Sequence, residues 1–126
     1  MGTLWTWVAI GVGGGLGAMA RFLVARQMSV MPGNYLPYGT LTVNAVGSWL
    51  LGFLAVSLVD RSEISVALRF GITVGFLGAF TTFSAFSYES VVLLQEGAFG
   101  RALLNMSMNL VLCVTLCYVG IQMARG

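Results

Sequence analysis

The sequence predicts an all-α membrane protein with four transmembrane helices, the third of which is broken in mid-membrane. Of the 126 residues, 58% are hydrophobic and only 8% are charged, whereas a soluble domain carries about 25% charged residues. Charged side chains are also absent from four long stretches, each about as long as, or longer than, the ~20 apolar residues that a membrane helix needs. These stretches are 1–20, 27–59, 70–88 and 102–124.

We expect one transmembrane domain over residues 1–126, with short loops that leave no room for a soluble catalytic domain. Its helices are predicted at about 4–26, 38–59, 65–94 and 100–124. The loops are marked by turn-forming or charged residues, namely Pro32, Gly33 and Pro37, then "DRSE" (Asp60 to Glu63), then "QEG" (Gln95 to Gly97).

The first helix does not resemble a signal peptide, because its first basic residue, Arg21, follows the apolar run instead of preceding it. Trp5 and Trp7 fit the aromatic belt of a membrane interface at the start of this helix. The chain therefore reads as a multi-pass membrane protein.

The positive charges are balanced across the predicted membrane. The chain has six arginines and no lysine, and the arginines divide three and three between the two sides: Arg21, Arg26 and Arg101 against Arg61, Arg69 and Arg125. Loop arginines normally set orientation. The balance leaves two readings, a single orientation set by a weaker feature or dual topology with antiparallel pairing, and it favours the second.

Glycines recur along the helices and allow close helix approach. They occur in "GVGGGLG" (Gly11 to Gly17) and at Gly47, Gly52, Gly71, Gly75 and Gly78. The glycines serve either packing within one chain or assembly between chains. Assembly is attractive, because four helices of this length enclose little space by themselves.

The third segment contains an unusual motif of hydroxyl and aromatic residues, "GAFTTFSAF", from Gly78 to Phe86. A straight helix over 65–94 would rise about 45 Å, beyond the ~30 Å hydrocarbon core. Hydroxyl side chains in this motif can form hydrogen bonds with backbone groups that a helix would otherwise pair with each other. A break at this depth frees backbone groups that survive only inside protein or around an ion or water, and freed carbonyls are suited to a monovalent cation.

Aromatic and hydroxyl side chains surround the predicted break. Phe83 and Phe86 are three residues apart and share a helical face if the helix resumes there. Their rings serve packing, or they present the positive ring edge to a small anion. Thr82 and Ser84 place hydroxyl donors nearby.

Three asparagines also fall at membrane depth. Asn105 and Asn109 are four apart on the fourth helix, and Asn44 lies in "GTLTVNAVGSWLLG" on the second. Buried asparagine is costly unless it is hydrogen-bonded. The asparagines therefore either tie helices together or form a polar track whose amides donate to an anion.

Nothing in the sequence indicates an enzyme. It contains no histidine, and no nucleophile–base pair or metal-ligand cluster is visible. Cys113 and Cys117 lie one turn apart on the last helix and read as packing residues. Nothing indicates a nucleic-acid partner.

Three motifs, "GGGLGAMARF", "GTLTVNAVGSWLLG" and "GAFTTFSAF", occur in this order and resemble the Fluc (CrcB) family of fluoride channels. The resemblance implies passive, fluoride-selective export that relieves fluoride toxicity. It also implies an antiparallel homodimer with two pores and a structural sodium ion at the dimer centre.

The resemblance assigns roles to matching residues. Phe83 and Phe86 match the pore aromatics, Asn44 the pore amide, and Ser84 a pore hydroxyl, with Thr82 beside it. A further set matches the surroundings of the pore, with Arg21 at the vestibule and the backbone carbonyls of Gly78 and Thr81 at the sodium ion.

The chain departs from the family pattern at three positions. Ala85 stands where the family usually has threonine, so one hydroxyl of the polar track is missing. Asn105 and Asn109 stand where the family usually has tyrosine and serine, and their roles as pore residues are transferred on position alone.

Two other membrane functions compete with the channel. A small multidrug exporter needs a membrane-embedded carboxylate, usually in the first helix, and this first helix has none; Glu89, late in the third helix, is the only acid near a span. A non-transporting assembly subunit would explain the glycines but not a broken helix with a polar and aromatic track.

Overall fold

The computed structural model describes residues 2–29, 35–59 and 61–126. Helix α1 covers Gly2–Ser29 and α2 covers Tyr38–Ser57. The third span, Val66–Gln95, divides into α3 (66–80) and α4 (Phe83–Gln95), and α5 covers Phe99–Arg125. The loop markers Pro32, Gly33 and Asp60 lie outside the described residues.

Within the part of the chain that the structure describes, four spans are long and apolar enough to cross a membrane, and each begins and ends within about three residues of its predicted bounds. This confirms the four-helix prediction. Large apolar side chains are exposed along their outer faces, among them Trp5 and Trp7 near the start of α1. Such exposure suits a chain whose outer faces contact lipid.

Local signals explain where the helices of the third span begin and end. The Ser65 hydroxyl accepts a hydrogen bond from the Leu68 amide at the start of α3, as an N-cap does. The chain turns after α4 at Gly97, whose φ of 77° is readily adopted only without a Cβ. This is the predicted third loop.

Two wide π-helical runs interrupt the third and fourth spans. In α3 the run covers Gly71–Leu77, and in α5 it covers Met108–Leu112. π-Turns are uncommon and often occur at functional sites. Here the second run contains the buried Asn109, and the first run ends a few residues before Thr81.

The helices pack in two pairs whose close approach depends on glycine. α1 lies on Gly71–Leu77 of α3, and α2 lies on Cys113–Arg125 of α5. A Cβ on Gly17 would meet the carbonyl oxygen of Phe76, and one on Gly52 would meet that of Cys117. These glycines therefore serve packing within one chain.

Other glycines leave open space beside the helix. A Cβ on Gly11 or Gly15 would have no neighbour within 4 Å. Both residues lie on α1, on the side of the helix that faces away from α3. The alternative of packing between chains therefore stays open for this face.

Candidate functional site

The third span leaves the helical path at Thr81 and Thr82. Both residues are extended, with φ/ψ of −88°/159° and −151°/123°. The third span becomes helical again directly afterwards, as α4. The Thr82 hydroxyl caps this helix by accepting a hydrogen bond from the Ala85 amide at 3.1 Å. The break was predicted from the sequence, and the structure has it as a two-residue interruption.

Thr81 forms the C-terminal end of α3. Its amide and its hydroxyl both donate to the Leu77 carbonyl, at 3.1 and 3.0 Å. The methyl group of Thr81 rests against Gly47 of α2, where a Cβ would collide with it. Glycine at position 47 therefore seats the break against α2.

Asn44 clamps the extended backbone from α2. Its Oδ1 accepts from the Thr82 amide at 2.8 Å, and its Nδ2 donates to the Thr82 carbonyl at 3.1 Å. Asn44 Oδ1 thus replaces the backbone carbonyl that the break removes from the Thr82 amide, and a bilayer requires such a replacement because lipid cannot supply one. The second hydrogen of Nδ2 goes to Asn109 Oδ1 at 3.0 Å.

A chain of side-chain amides continues from Asn44 through α5 to α4. Asn109 Nδ2 donates to both the backbone and the side-chain oxygen of Asn105, at 2.9 and 3.2 Å. Asn105, fully buried, donates to Ser90 Oγ at 3.0 Å. All three amides donate in the same direction, and aligned bonds of this kind strengthen one another.

The hydrogen bonds of this amide chain match the first alternative for the three asparagines, in which they tie helices together. Both amide hydrogens of Asn44 are engaged within the protein. An anion that takes a hydrogen bond from Asn44 must therefore displace Thr82 or Asn109. The assignment of Asn44 as a pore donor remains a prediction.

The two predicted aromatic residues are adjacent. The Phe83 and Phe86 ring centroids are 5.4 Å apart with an interplanar angle of 65°, an edge-to-face pair. Phe83 is 78% exposed. The shared helical face expected from their spacing is confirmed, and one ring of the pair is free to meet something beyond this chain.

An open groove of about 520 Å³ runs beside the break. Its lining comes from α2, the break, α4 and α5: Asn44, Ser48, Thr81, Thr82, Phe83, Phe86, Met106, Asn109, Leu110, Cys113 and Val114. Neutral donors and acceptors thus face apolar and aromatic surface, and none of the described lining residues carries a formal charge.

The structure brings most of the predicted site residues to this groove but not all of them. Asn105 lies behind it, buried between α5 and α4. Ser84 is exposed at the rim, with its hydroxyl 3.2 Å from that of Thr82. Arg21 stands outside the lining and donates from Nε to the Ala79 carbonyl at 3.1 Å, so it holds the end of α3.

Two polar contacts were not foreseen from the sequence. Ser90 ends the amide chain, and its sequence position gave no sign of that. Glu89 accepts a hydrogen bond from the Thr40 hydroxyl at 3.0 Å. It lines a separate cavity of about 420 Å³ between the start of α2 and the later part of α4. In the sequence, the one sign of either contact was a polar residue inside an apolar span whose hydrogen-bond partner could not be identified.

The fold and the groove define a class: a small four-span membrane protein with a broken span and an uncharged polar path beside it. The model of the family described as "CrcB-like protein, Camphor Resistance (CrcB)" matches residues 8–121. The chain belongs to this CrcB family, which confirms the resemblance stated from the motifs.

Relatives match over nearly the whole chain. A protein of Geobacter sulfurreducens is 42% identical over 120 residues, covering 95% of this chain and 97% of its own length. One from Aeromonas salmonicida is 41% identical over 122 residues, covering 96% and 97%. One from Methylococcus capsulatus is 44% identical over 117 residues, covering 93% of this chain, which spans only 51% of that relative.

All three relatives bear the name "Fluoride-specific ion channel FluC". That name describes a channel and not an enzyme, as the sequence led us to expect. Together with the four apolar spans, the relatives identify this chain as a multi-pass bacterial membrane protein.

Proposed function

We propose that this chain is a fluoride-selective channel, which exports fluoride passively across the bacterial inner membrane and so relieves fluoride toxicity. The observation that carries the proposal is the groove at the break, where uncharged polar groups lie beside the Phe83–Phe86 pair. A fixed positive charge would trap a small anion. Repeated weak contacts instead let it enter and leave.

Fluoride is small and strongly hydrated, so the path must replace its water with convergent donors. The Thr82 and Ser84 hydroxyls share one hydrogen bond between them. Each hydroxyl carries one hydrogen, so one of the two remains to be offered to the anion. The positive ring edges of Phe83 and Phe86 add donors that bear no formal charge.

The amide chain has a supporting part in this proposal. Asn44 fixes the extended backbone of Thr82, and Asn109 and Asn105 hold Asn44 in place. Arg21 holds the Ala79 carbonyl at the end of α3. Its charge also raises the local concentration of anions near the vestibule.

An antiparallel homodimer completes the path. In one chain the groove is open on one side and Phe83 is mostly exposed, so a second copy is needed to wall it off from lipid. The three-to-three division of arginines supports copies inserted in opposite directions. Such a dimer has two symmetric grooves and hence two pores.

A sodium ion at the dimer centre fits the residues at the break. The extended backbone at Thr81 takes the carbonyls at the end of α3 away from the amides that a continuous helix would offer. Beyond its chain neighbours and its own helical turn, a Cβ on Gly78 would come no nearer than 3.9 Å to another atom, so space is left beside it. The carbonyl oxygens of Gly78 and Thr81 from two copies would hold the ion.

Such oxygens are hard, neutral ligands suited to a monovalent cation. When bound, sodium would offset the partial negative charge of these carbonyls and join the two copies. Among the described residues, no cluster of three or more histidine, cysteine or acidic side chains offers a different metal site.

Efflux from liposomes tests the proposed function. Purified protein is reconstituted into vesicles loaded with potassium fluoride or potassium chloride, and a potassium ionophore relieves the charge build-up. We expect fluoride release that continues when a protonophore collapses any proton gradient, with no comparable chloride release. Equal chloride release, or fluoride release that needs a proton gradient, would contradict the proposal.

A further inference from the structure

The side chain of Arg69, in the third span, has no part in the proposed channel. Arg69 lies one turn into α3, and its Nε is buried without a hydrogen-bond partner among the described residues. A buried donor left unpaired costs free energy, and more so when it is charged. The nearby acidic residue Glu63 instead pairs with Arg61, at 3.5 Å on the exposed surface.

Arg69 lies in the lining of an apolar groove between α2 and α3, here called the Arg69 groove. The groove has a volume of about 340 Å³ and is lined by Leu51, Leu54, Ala55, Leu58, Arg69, Thr73 and Val74. The Thr73 hydroxyl turns back to the Arg69 carbonyl at 2.9 Å. Among the lining residues that the structure describes, Arg69 is the only one with a charged side chain.

The groove is oriented along the membrane normal. Leu58 follows the last residue of α2 and Arg69 lies near the first residue of α3, so both mark one membrane boundary. From Leu58 to Leu51 the wall extends inward by about 10 Å at 1.5 Å per residue. A cation at the boundary thus stands above an apolar trough that points toward the bilayer centre.

We propose that the Arg69 groove binds an anionic phospholipid, with the phosphate on the guanidinium and one acyl chain against the leucines. The planar guanidinium matches two phosphate oxygens and would gain charge-assisted hydrogen bonds for the unpaired donor. The bilayer is the source of the ligand. None of these residues lines the groove at the break, so the proposal does not depend on fluoride conduction.

Native mass spectrometry of the purified protein tests the lipid site. The probes are phosphatidylglycerol and phosphatidylcholine with identical acyl chains, added to delipidated protein in detergent. Arg69→Gln removes the cation, and Ala55→Leu fills the trough while leaving the cation. Arg61→Gln is the matched control, because it removes an arginine from the same end of the molecule. Size-exclusion profiles establish that each variant is folded.

Wild type and Arg61→Gln should retain phosphatidylglycerol about fivefold better than phosphatidylcholine, as expected for one arginine near a headgroup of net negative charge, since the choline of phosphatidylcholine neutralises its phosphate. Arg69→Gln should abolish that preference, and Ala55→Leu should lower the binding of both lipids.

Unchanged phosphatidylglycerol binding in folded Arg69→Gln would overturn the proposal. So would displacement of the lipid by inorganic phosphate, which would indicate a site for a free anion. A cross-link between two copies through Ala55→Cys would likewise overturn it, because the groove would then be covered by a second copy.

Discussion

Replacing Asn44 by alanine removes the clamp on the broken span. The side chain makes three hydrogen bonds, of 2.8 and 3.1 Å to the Thr82 backbone and of 3.0 Å to Asn109. Alanine leaves the Thr82 amide and carbonyl without these partners in a region that water does not reach freely. We expect Asn44→Ala to weaken both the fold and the conduction of fluoride.

The expected magnitude follows from the number of bonds. Side-chain hydrogen bonds inside a membrane protein contribute about 0.6 kcal/mol each on average, so three bonds amount to about 2 kcal/mol. That free energy is a factor of about thirty in the equilibrium between clamped and unclamped backbone. Asn44→Asp should be worse, because its second oxygen would face the acceptor oxygens of Thr82 and Asn109.

Two measurements on each variant check this prediction: resistance to unfolding in detergent, and fluoride efflux per reconstituted dimer. Thr6→Ala is the control, since its hydroxyl bonds only to the Gly2 carbonyl on the exposed face of α1. Asn44→Ala should lose stability and flux while Thr6→Ala keeps both. A folded Asn44→Ala protein with wild-type stability and wild-type flux would refute the clamp.

The remaining predictions concern the rings, the ion, the topology and the helix packing. Phe83→Ile and Phe86→Ile should lower flux per folded dimer, since each loses a ring-edge contact of about 1 kcal/mol; wild-type flux in a folded variant would remove that ring from the path. Exhaustive sodium removal on both sides should slow fluoride efflux, and full activity without sodium would contradict the ion site. A cysteine introduced into one loop should be labelled from one side of intact membranes in about half the copies, whereas uniform labelling would indicate a single orientation. Gly52→Val should destabilise the fold by about 1–3 kcal/mol through overpacking against α5, while Gly11→Ala, with open space around it and a better helix former in place of glycine, should leave thermal stability unchanged or slightly higher.

Local sequence signals were enough to predict the spans and the break. Hydropathy located four segments, and the threonines that follow three glycines located the interruption within the motif from Gly78 to Phe86. The four-residue spacing of Asn105 and Asn109 placed them on one helical face, where they are now seen to bond. Each of these features depends on residues close together in the chain.

The clamp could not be predicted, because it joins residues 38 positions apart. Whether Asn44 faces Thr82 depends on how α2 is rotated against the third span, and no local pattern specifies that rotation. The same holds for Asn105 and Ser90, which meet only because α4 packs against α5. From the sequence, an asparagine that ties helices and one that lines a pore look alike.

The two π-helical runs also escaped prediction. Glycines at 71 and 75 suggested a weak helix, but they did not specify a widened turn. The widening accompanies the contact with α1, where Cβ atoms on Gly13 and Gly17 would collide with the backbone of α3. Tertiary packing thus decided a backbone geometry that helix propensity alone leaves open.

The reversal potential of the reconstituted protein tests the central claim most directly. A planar bilayer separates solutions that differ in fluoride concentration and, independently, in pH and chloride concentration. The account predicts that current reverses at the equilibrium potential of fluoride and does not shift when the pH or chloride gradient is inverted. A reversal potential that follows chloride or protons, or the absence of current from folded dimers, would contradict it.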